Sequence, residues 1–157
     1  MKITIKKCSV EDVPVLYEMT RELMEFHDML DIFTMTEERL CELVESGAIQ
    51  SYIAEADSQP AGIINFFYKY TTFTGQKILY LEDLYVRSQF RKYGIGSIFM
   101  NKLKEIAFEN DCNSIEWKCA DFNESGKRFY AKIGAKPENI WQTYTIERNS
   151  FTINERS

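Results

Sequence analysis

Histidine and paired cysteines are scarce in this chain, and their scarcity excludes several kinds of site. The 157 residues include one histidine, His27, and four cysteines, at positions 8, 41, 112 and 119. The cysteines form no CxxC pair and no ligand-like spacing with His27, so we expect reduced core thiols, no metal site and no disulfide framework. A serine or cysteine nucleophile would have only His27 as its usual base, which argues against such a triad.

Basic charge and long apolar runs are also lacking. The chain has 19 lysines and arginines against 24 aspartates and glutamates, for a net charge of -5, whereas nucleic-acid binding needs a basic face. No segment approaches the apolar length of a bilayer span, and the first residues, MKITIKKCSVEDV, lack the apolar centre of a secretory signal. We therefore expect a cytoplasmic protein without nucleic-acid or membrane partners, and its acidic balance suits a cationic partner.

What the sequence does contain is globular in composition and regular in pattern. Hydrophobic residues make up 45% and charged residues 27% of the chain. No linker rich in proline, glycine or serine interrupts it, so we expect one domain over residues 1–157. Periodicity and cap residues predict the element order β-α-α-β-β-β-α-β-α-β. That order implies an α/β fold with a mixed, mainly antiparallel central sheet and helices on both faces.

The predicted elements have definite bounds. The strands cover 2–7, 51–56, 61–73, 77–86, 114–120 and 141–148, while the helices begin after Ser9 and Thr36 and cover 97–110 and 123–134. In the helix over 97–110, the spacing of apolar residues predicts that Ile98, Phe99, Leu103, Ile106 and Ala107 face inward.

A glycine-containing loop, FRKYGIGS at 90–97, lies between a predicted strand and a predicted helix. Glycine allows positive φ and lets a ligand approach the main chain, and the start of a helix exposes amide N–H groups. Arg91 and Lys92 add positive charge beside Gly94 and Gly96, so the loop is a candidate phosphate site or simply a tight turn. A dinucleotide fingerprint would require a third glycine where Phe99 stands, and a Walker A loop would require GK[ST], which is absent.

The strand before this loop, KILYLEDLYV at 77–86, carries two consecutive carboxylates. Strict alternation places Glu82 on the face of Ile78 and Tyr80, and places Asp83 on the opposite face. Both faces are mainly apolar, which predicts a central strand. A buried carboxylate is costly, so each acid needs an ion-pair partner, an end of the strand that reaches solvent, or a catalytic task.

These motifs together resemble the GNAT acetyltransferase superfamily. Arg91, Gly94 and Gly96 match its [QR]xxGx[GA] pyrophosphate loop, and the element order is similar over nearly the whole chain. The strand 77–86, the loop and the downstream pattern NExxxxFYxKxGA over 123–135 resemble its diamine, or spermidine/spermine, branch more narrowly. The resemblance implies an acetyl-CoA-dependent N-acetyltransferase that acts on a small cationic amine.

The resemblance also implies roles for individual residues. It makes Glu82 the base that accepts the amine proton and Tyr130 the acid at the coenzyme sulfur. It assigns acetyl-CoA binding to Leu84, Tyr85, Val86, Arg91, Lys92, Tyr93, Gly94, Ile95, Gly96, Ser97, Asn123, Ser125, Phe129 and Tyr130. It assigns substrate contacts to Glu82, Asp83, His27, Asp28 and Trp117. From the residues alone, the pair Phe129 and Tyr130 fits a core equally well, and Asn123 fits a helix cap.

The match to the branch is weakest where the acceptor would bind. Ser125 replaces the branch's proline and Lys92 replaces its glycine, while His27 and Asp28 match an acidic position only loosely. The acceptor therefore stays open between a polyamine, an amino acid analogue, an aminoglycoside and a protein amine. A non-catalytic CoA-binding module is the alternative of a different class. Members of the branch are usually dimers that pair through the C-terminal strand region, so we expect a homodimer through the segment 141–153.

Overall fold

The computed structural model describes residues 1–151, which include all the predicted elements. The described chain divides into two compact units, residues 1–118 and the residues from Cys119 onward. The expectation of one domain stays a prediction. The first unit contains five β-strands: β1 (Ile3–Lys7), β2 (Gln50–Ala56), β3 (Gln59–Tyr70), β4 (Lys77–Val86) and β5 (Cys112–Trp117).

Four α-helices accompany these strands in the described chain. Three belong to the first unit and one to the second: α1 (Val13–Phe26), α2 (Glu37–Glu45), α3 (Ile95–Glu109) and α4 (Glu124–Lys132). Each helix lies within a few residues of its predicted position. Thr36 Oγ1 accepts a hydrogen bond from the amide of Arg39 at 3.1 Å, which confirms it as the cap of α2.

The five strands form one sheet in the order β1-β2-β3-β4-β5. The first three pairings are antiparallel, and two of them, β2 with β3 and β3 with β4, join strands that short turns connect. β5 pairs with β4 in parallel, because α3 carries the chain back across the sheet. The predicted mixed, mainly antiparallel sheet is confirmed, and β4 is an interior strand as expected.

Helices cover both faces of this sheet. Leu16 and Met19 of α1 and Leu40 of α2 share a buried cluster with Ile53 and Ile63. The residue before Ile63 is Gly62, and a Cβ added there would lie 3.1 Å from the ring of Phe99 in α3. Because consecutive strand residues point to opposite faces, α1 and α2 pack on one face and α3 packs on the other.

The inward face of α3 differs from its prediction at one position. Phe99, Leu103, Ile106 and Ala107 are buried as expected, but Ile98 is 36% exposed, and Ile95 and Met100 are buried instead. The helix begins two residues earlier than predicted, at Ile95, and the buried stripe passes between Phe99 and Met100 rather than through Ile98.

The strand predicted over 141–148 is wrong. These residues form no strand, and a short 3₁₀ turn follows at Arg148–Ser150. Trp141, Tyr144 and Ile146 are 63%, 88% and 75% exposed. An extended segment becomes a strand only where it pairs with a neighbour, and no strand within residues 1–151 pairs with this one. Residues 152–153, at the end of the expected dimer segment, lie outside the described residues.

The cysteines follow their prediction only in part. All four are free thiols, but Cys8 alone is buried, whereas positions 41, 112 and 119 are half-buried. In the described chain, no helix has the length and apolarity that a bilayer crossing requires. Over the same residues, no group of three or more His, Cys, Asp and Glu side chains is arranged to hold a metal ion.

Candidate active site

The glycine loop leads directly into α3. Gly94 occupies the cap position with φ of 80° and ψ of 8°, a left-handed conformation that glycine adopts without strain. A Cβ added at Gly94 would meet no atom within 4 Å, so the backbone conformation rather than crowding requires glycine here. Lys92 also has a positive φ, of 71°. Lysine therefore stands in a conformation that favours glycine, the residue found there in the diamine branch.

The start of α3 offers its amides to an outside acceptor. The first intrahelical hydrogen bond runs from Ile98 N–H to Gly94 C=O, at 3.0 Å. The amides of Ile95, Gly96 and Ser97 precede that bond, and no side-chain cap forms at Gly94. The loop residues 91–94 are exposed. Amide donors, the positive end of the helix dipole and two neighbouring cations make a suitable site for a phosphate group.

Arg91 belongs to the loop by sequence, but its side chain turns back toward helix α1 and strand β4. Its Nε donates to the carbonyl oxygen of Val86 at 2.9 Å, and its guanidinium carbon lies 4.6 Å above the ring of Phe26. These contacts tie the loop to the end of β4 and to the end of α1. Arg91 is thus positioned to hold the loop's shape, in addition to its charge.

Arg87 performs a second anchoring function that the sequence analysis missed. Its Nη2 lies 2.7 Å from Glu22 Oε1 and its Nε lies 3.0 Å from Glu22 Oε2, so the pair is bidentate. Its Nη1 donates to the carbonyl oxygen of Pro60 at 3.0 Å. One side chain therefore joins α1, β3 and the end of β4. The only signal in the sequence was an arginine between an apolar strand and a glycine loop. Such a position does not indicate which residue the arginine pairs with.

Strand β4 contains a β-bulge at Glu82. Phe66 pairs with Leu81 while the preceding residue, Asn65, pairs with Asp83, so Glu82 is the extra residue. Because of the bulge, the predicted alternation is wrong for Asp83. Asp83 lies opposite Asn65, on the face of the sheet that α1 covers. Tyr80 is on that face too, whereas strict alternation placed Asp83 and Tyr80 on opposite faces. Glu82 is exposed. A carboxylate in an open position on an interior strand is suited to proton transfer.

The half-buried Asp83 ends a row that begins with two buried polar side chains, a row that the sequence analysis also missed. Ser51 Oγ donates to Asn65 Oδ1 at 2.6 Å, and Asn65 Nδ2 donates to Asp83 Oδ2 at 2.8 Å. Burial raises the pKa of Asp83 to about 6, and the charge of Glu82 adds to that rise, while the hydrogen bond from Asn65 opposes it. Asn65 sits within the apolar run AGIINFF at 61–67, where it is the single polar residue and was the available signal.

Beyond this bulge, the outer edge of β4 is open. β5 pairs with β4 only as far as Leu81 opposite Trp117, so over residues 82–86 that edge has no strand partner within residues 1–151. Leu84, Tyr85 and Val86, the predicted coenzyme-binding residues, lie on this stretch. An open strand edge can pair with an extended ligand as it would with a strand.

The predicted site residues of the second unit lie around α4. Asn123 Oδ1 accepts from the amide of Gly126 at 3.0 Å and from Ser125 Oγ at 3.1 Å, which confirms its capping role. The rings of Phe129 and Tyr130 are 5.5 Å apart. Burial, with a smaller contribution from Cys119, raises the pKa of Tyr130 to about 12. Its hydroxyl is therefore protonated at neutral pH and able to donate.

The remaining predicted substrate residues lie in the first unit. His27 follows the last residue of α1, next to Phe26, and burial lowers its pKa. Asp28 is exposed and has a φ of 54°. The contact between Phe26 and Arg91 places this corner beside the glycine loop. Trp117 is the last residue of β5, opposite Leu81, where the open edge of β4 begins.

Comparisons with known proteins agree with this geometry. A sequence profile of the family described as "Acetyltransferase (GNAT) family" matches residues 15–135. Thialysine N-epsilon-acetyltransferase of Caenorhabditis elegans is 36% identical over 118 residues, which cover 75% of this chain and 73% of that protein. The protein of the same name from Sus scrofa is 29% identical over 158 residues, with 92% of each chain covered. Spermidine/spermine N(1)-acetyltransferase-like protein 1 of Homo sapiens is 27% identical over 94% of this chain but 23% of its own length.

Solved structures share the fold at lower sequence identity. An aminoglycoside acetyltransferase from an uncultured soil metagenomic sample has a TM-score of 0.78 at 16% identity, with 92% of this chain and 97% of that chain covered. A structure described as a probable acetyltransferase has a TM-score of 0.79 at 19% identity, with 94% of this chain and 97% of that chain covered. At these identities the likeness concerns the fold alone.

Proposed function

This chain belongs to the GNAT acetyltransferase family and is an N-acetyltransferase, and from this premise we propose that it transfers an acetyl group from acetyl-CoA to a primary amine of a small cationic molecule. The observation that carries the proposal is the open start of α3. Gly94 adopts a conformation that leaves the amides of Ile95, Gly96 and Ser97 without a side-chain cap. A diphosphate is the group that such a helix start binds best.

Two features of the first unit support acetyl-CoA as the acetyl donor. The amides after Gly94 and the charge of Lys92 fit the diphosphate of the coenzyme. The open edge of β4 at Leu84, Tyr85 and Val86 offers main-chain groups to the amide-containing arm. For the second unit, Asn123, Ser125 and Phe129 remain proposed coenzyme contacts, as the family resemblance implied.

The proposed chemistry needs one base and one acid. At neutral pH an alkyl ammonium with a pKa near 10.4 must lose a proton, at a cost of about 4–5 kcal/mol. Glu82 takes that proton, directly or through water. The amine nitrogen then bonds to the acetyl carbon and releases its second proton to solvent, the carbon–sulfur bond breaks, and the electron pair leaves on sulfur. Tyr130, whose raised pKa keeps its hydroxyl protonated, supplies the proton that completes the free thiol.

The roles of Glu82 and Tyr130 are tested by two conservative variants. We expect Glu82→Gln and Tyr130→Phe each to lower kcat by about 10²–10³-fold, within the range of general acid–base catalysis. The Kd for acetyl-CoA should stay within threefold, because neither change touches the loop amides. Steady-state thiol release gives kcat, and calorimetry gives Kd. Wild-type turnover in both variants would remove these two assignments.

The class of acceptor is tested by a panel of amines. The acidic chain and the exposed Glu82 favour an amine that carries a further positive charge. The panel includes putrescine, spermidine, thialysine, lysine, an aminoglycoside and a peptide with a free N-terminus. We expect the highest kcat/KM with a small amine. Coenzyme binding without thiol release from any amine would instead indicate a non-catalytic module.

A second acceptor class has specific support. Two relatives at 36% and 29% identity are named as thialysine acetyltransferases, which favours the side-chain amine of a lysine-like amino acid. In the panel, thialysine preferred over spermidine by tenfold or more in kcat/KM would select this candidate. The reverse preference would select a polyamine.

We also propose that the enzyme is a homodimer that pairs through its C-terminal segment. Ile140, Trp141, Tyr144, Ile146 and Phe151 are all at least 60% exposed, and apolar side chains this exposed are typical of an interface. We expect light scattering to give twice the mass of 18.5 kDa. A double variant, Trp141→Ser with Tyr144→Ser, should give the monomer mass. A wild-type monomer would overturn the proposal.

The four free thiols fit a reducing compartment, and we propose the cytoplasm as the enzyme's location. Fractionation of cells that express the chain without a tag should place it with cytoplasmic markers, and recovery from any other fraction would contradict the assignment.

A further inference from the structure

We propose that a row of three polar side chains, the buried Ser51 and Asn65 and the half-buried Asp83, positions Glu82 for catalysis by fixing the bulge in β4. We call these residues the polar row. The inference rests on the proposed role of Glu82 as the base and extends it to Asp83 and to Ser51 and Asn65, two residues that have no other assigned task. Neither hydrogen bond of the row reaches the glycine loop.

The geometry of the row is regular across three strands. Ser51 of β2 lies opposite Asn65 of β3, which lies opposite Asp83 of β4. Ser51 is 1% exposed and Asn65 is 3% exposed, no other polar side chain of the described residues is as deeply buried, and Asp83 is half-buried. Both hydrogen bonds donate toward Asp83, so the row ends on an acceptor. A carboxylate, which only accepts when it is ionised, matches that polarity.

The row decides which of two consecutive carboxylates turns inward. Leu81 lies opposite Phe66, so an unbroken ladder would place Glu82 opposite Asn65, on the face covered by α1. The bulge instead places Asp83 there and leaves Glu82 as the extra, exposed residue. Aspartate is one methylene shorter than glutamate, and its carboxylate meets the Asn65 amide at 2.8 Å. A register that moved both carboxylates away from Asn65 would leave its buried N–H without an acceptor, which is costly.

The surroundings of Asp83 make its charge sensitive to Asn65. The charge of the adjacent Glu82 disfavours ionisation of Asp83. On the same face of β4, Tyr80 and Tyr85 lie on either side of Asp83. Glu22 of α1 interacts with Tyr85, and its carboxylate forms an ion pair with Arg87. Lys69 of β3 lies above the ring of Tyr80 and forms an ion pair with Glu116 of β5. Among these groups, the Asn65 amide is the one that stabilises the carboxylate by a hydrogen bond.

The test is the isosteric variant Asn65→Asp, which replaces the donor by an acceptor. We expect kcat to fall tenfold or more at pH 7.5, and the acid limb of the profile of kcat/KM against pH to move up by at least one pH unit. The KM for acetyl-CoA should stay within twofold. A residue that only stabilises the fold would lower the amount of active enzyme without moving the limb. Asn113→Asp, at an exposed position of β5, adds the same charge as a matched control and should leave the profile unchanged.

A milder variant keeps the inference testable if Asn65→Asp does not fold. Ser51→Ala removes only the donor to Asn65, and we expect the acid limb to move in the same direction by a smaller amount, with kcat about threefold lower. An unmoved limb in every folded variant overturns the inference. If Glu82→Gln impairs turnover while these variants behave as wild type, the polar row fails alone. If Glu82→Gln behaves as wild type, the proposed base and the row both fail.

Discussion

Helices α2 and α3 begin in opposite ways. At α2 the side chain of Thr36 accepts from the amide of Arg39, and Glu37 and Glu38 place negative charge in the first turn. At α3 the cap is Gly94 in a left-handed conformation, without a side-chain cap or an acidic residue in the first turn. Helix α4, capped by Asn123, with Glu124 in its first turn, resembles α2.

The two helix starts differ because one only has to be stable, whereas the other has a proposed ligand. At α2 and α4 the chain itself supplies an acceptor and negative charge, and at α1, which has no side-chain cap, Asp12 stands at the cap position and a proline in the first turn. The start of α3 has neither a side-chain cap nor an acidic residue in its first turn, although both would stabilise the helix. The unmet amides are therefore available to an anion from outside, which is the physical basis of the proposed coenzyme site.

The contrast is tested most directly by Gly94→Asp, which gives α3 in one side chain both the cap acceptor and the negative charge that α2 and α4 have at their starts. We expect the Kd for acetyl-CoA to rise about 100-fold, equivalent to about 2.7 kcal/mol, because the carboxylate occupies the amides and repels the diphosphate. Calorimetry with CoA measures the change.

Gly94→Asn is the matched control for this change, because asparagine has the same shape, tolerates the left-handed conformation and carries no charge. Its Kd should rise by about tenfold or less. Equal losses in the two variants would show that shape rather than charge matters, and would weaken the case for a phosphate at this helix start.

The second prediction extends the contrast to Glu82 and Asp83, the exposed and the inward carboxylate of β4. The pKa of Asp83 is about 6 in the folded protein against 3.8 for the free side chain. Between about pH 4 and pH 6 the Asp83 carboxyl therefore holds its proton in the folded state but has lost it in the unfolded state. The stability that this carboxyl contributes below pH 4 is lost as the pH rises through 6. Asp83→Asn keeps an acceptor for Asn65 and removes this loss. We expect its free energy of unfolding at pH 7.5 to rise by about 1–3 kcal/mol.

Urea unfolding of this variant at pH 7.5 and pH 5 checks the prediction, and the gain should shrink at the lower pH. Glu82→Gln is the control, because an exposed carboxylate has no comparable burial cost, and its stability should match that of the wild type. A gain for Asp83→Asn that does not depend on pH would contradict the linkage to this carboxyl.

The smallest expected effect is that of Thr36→Ala, on the structural side of the contrast. Loss of the cap should lower the free energy of unfolding by about 1 kcal/mol, with no change in kcat or in the Kd for acetyl-CoA. Chemical denaturation together with thiol release measures both. A change in coenzyme affinity would mean that the two helix starts do not have the separate roles described above.

Local patterns predicted most of the elements because the features that specify them lie close together in the chain. Thr36 caps α2 and Asn123 caps α4 through hydrogen bonds to amides three residues away. The strand predicted over 77–86 has those bounds in the structure. The strand predicted over 141–148 failed because pairing is a tertiary property, and its alternating side chains do not reveal whether a partner exists.

The candidate site was predictable to the same extent and for the same reason. The loop around Gly94 and Gly96 and the acidic pair of β4 were visible as motifs. Arg87 gave no such signal, because its partners Glu22 and Pro60 are far away in sequence. Arg91 was expected beside a phosphate, yet its side chain contacts Val86 and Phe26. Directions and partners of long side chains depend on what the fold brings near.

The sequence by itself determined the family, the order of nine elements and the glycine that starts α3, since residue type and short-range spacing are sufficient for each. Only the tertiary structure decided that Asp83 turns inward and Glu82 remains exposed. One extra residue in a ladder reverses the side-chain alternation beyond it. Its position depends on the register between strands, which is set by contacts such as that between Asn65 and Asp83 across 18 residues of sequence.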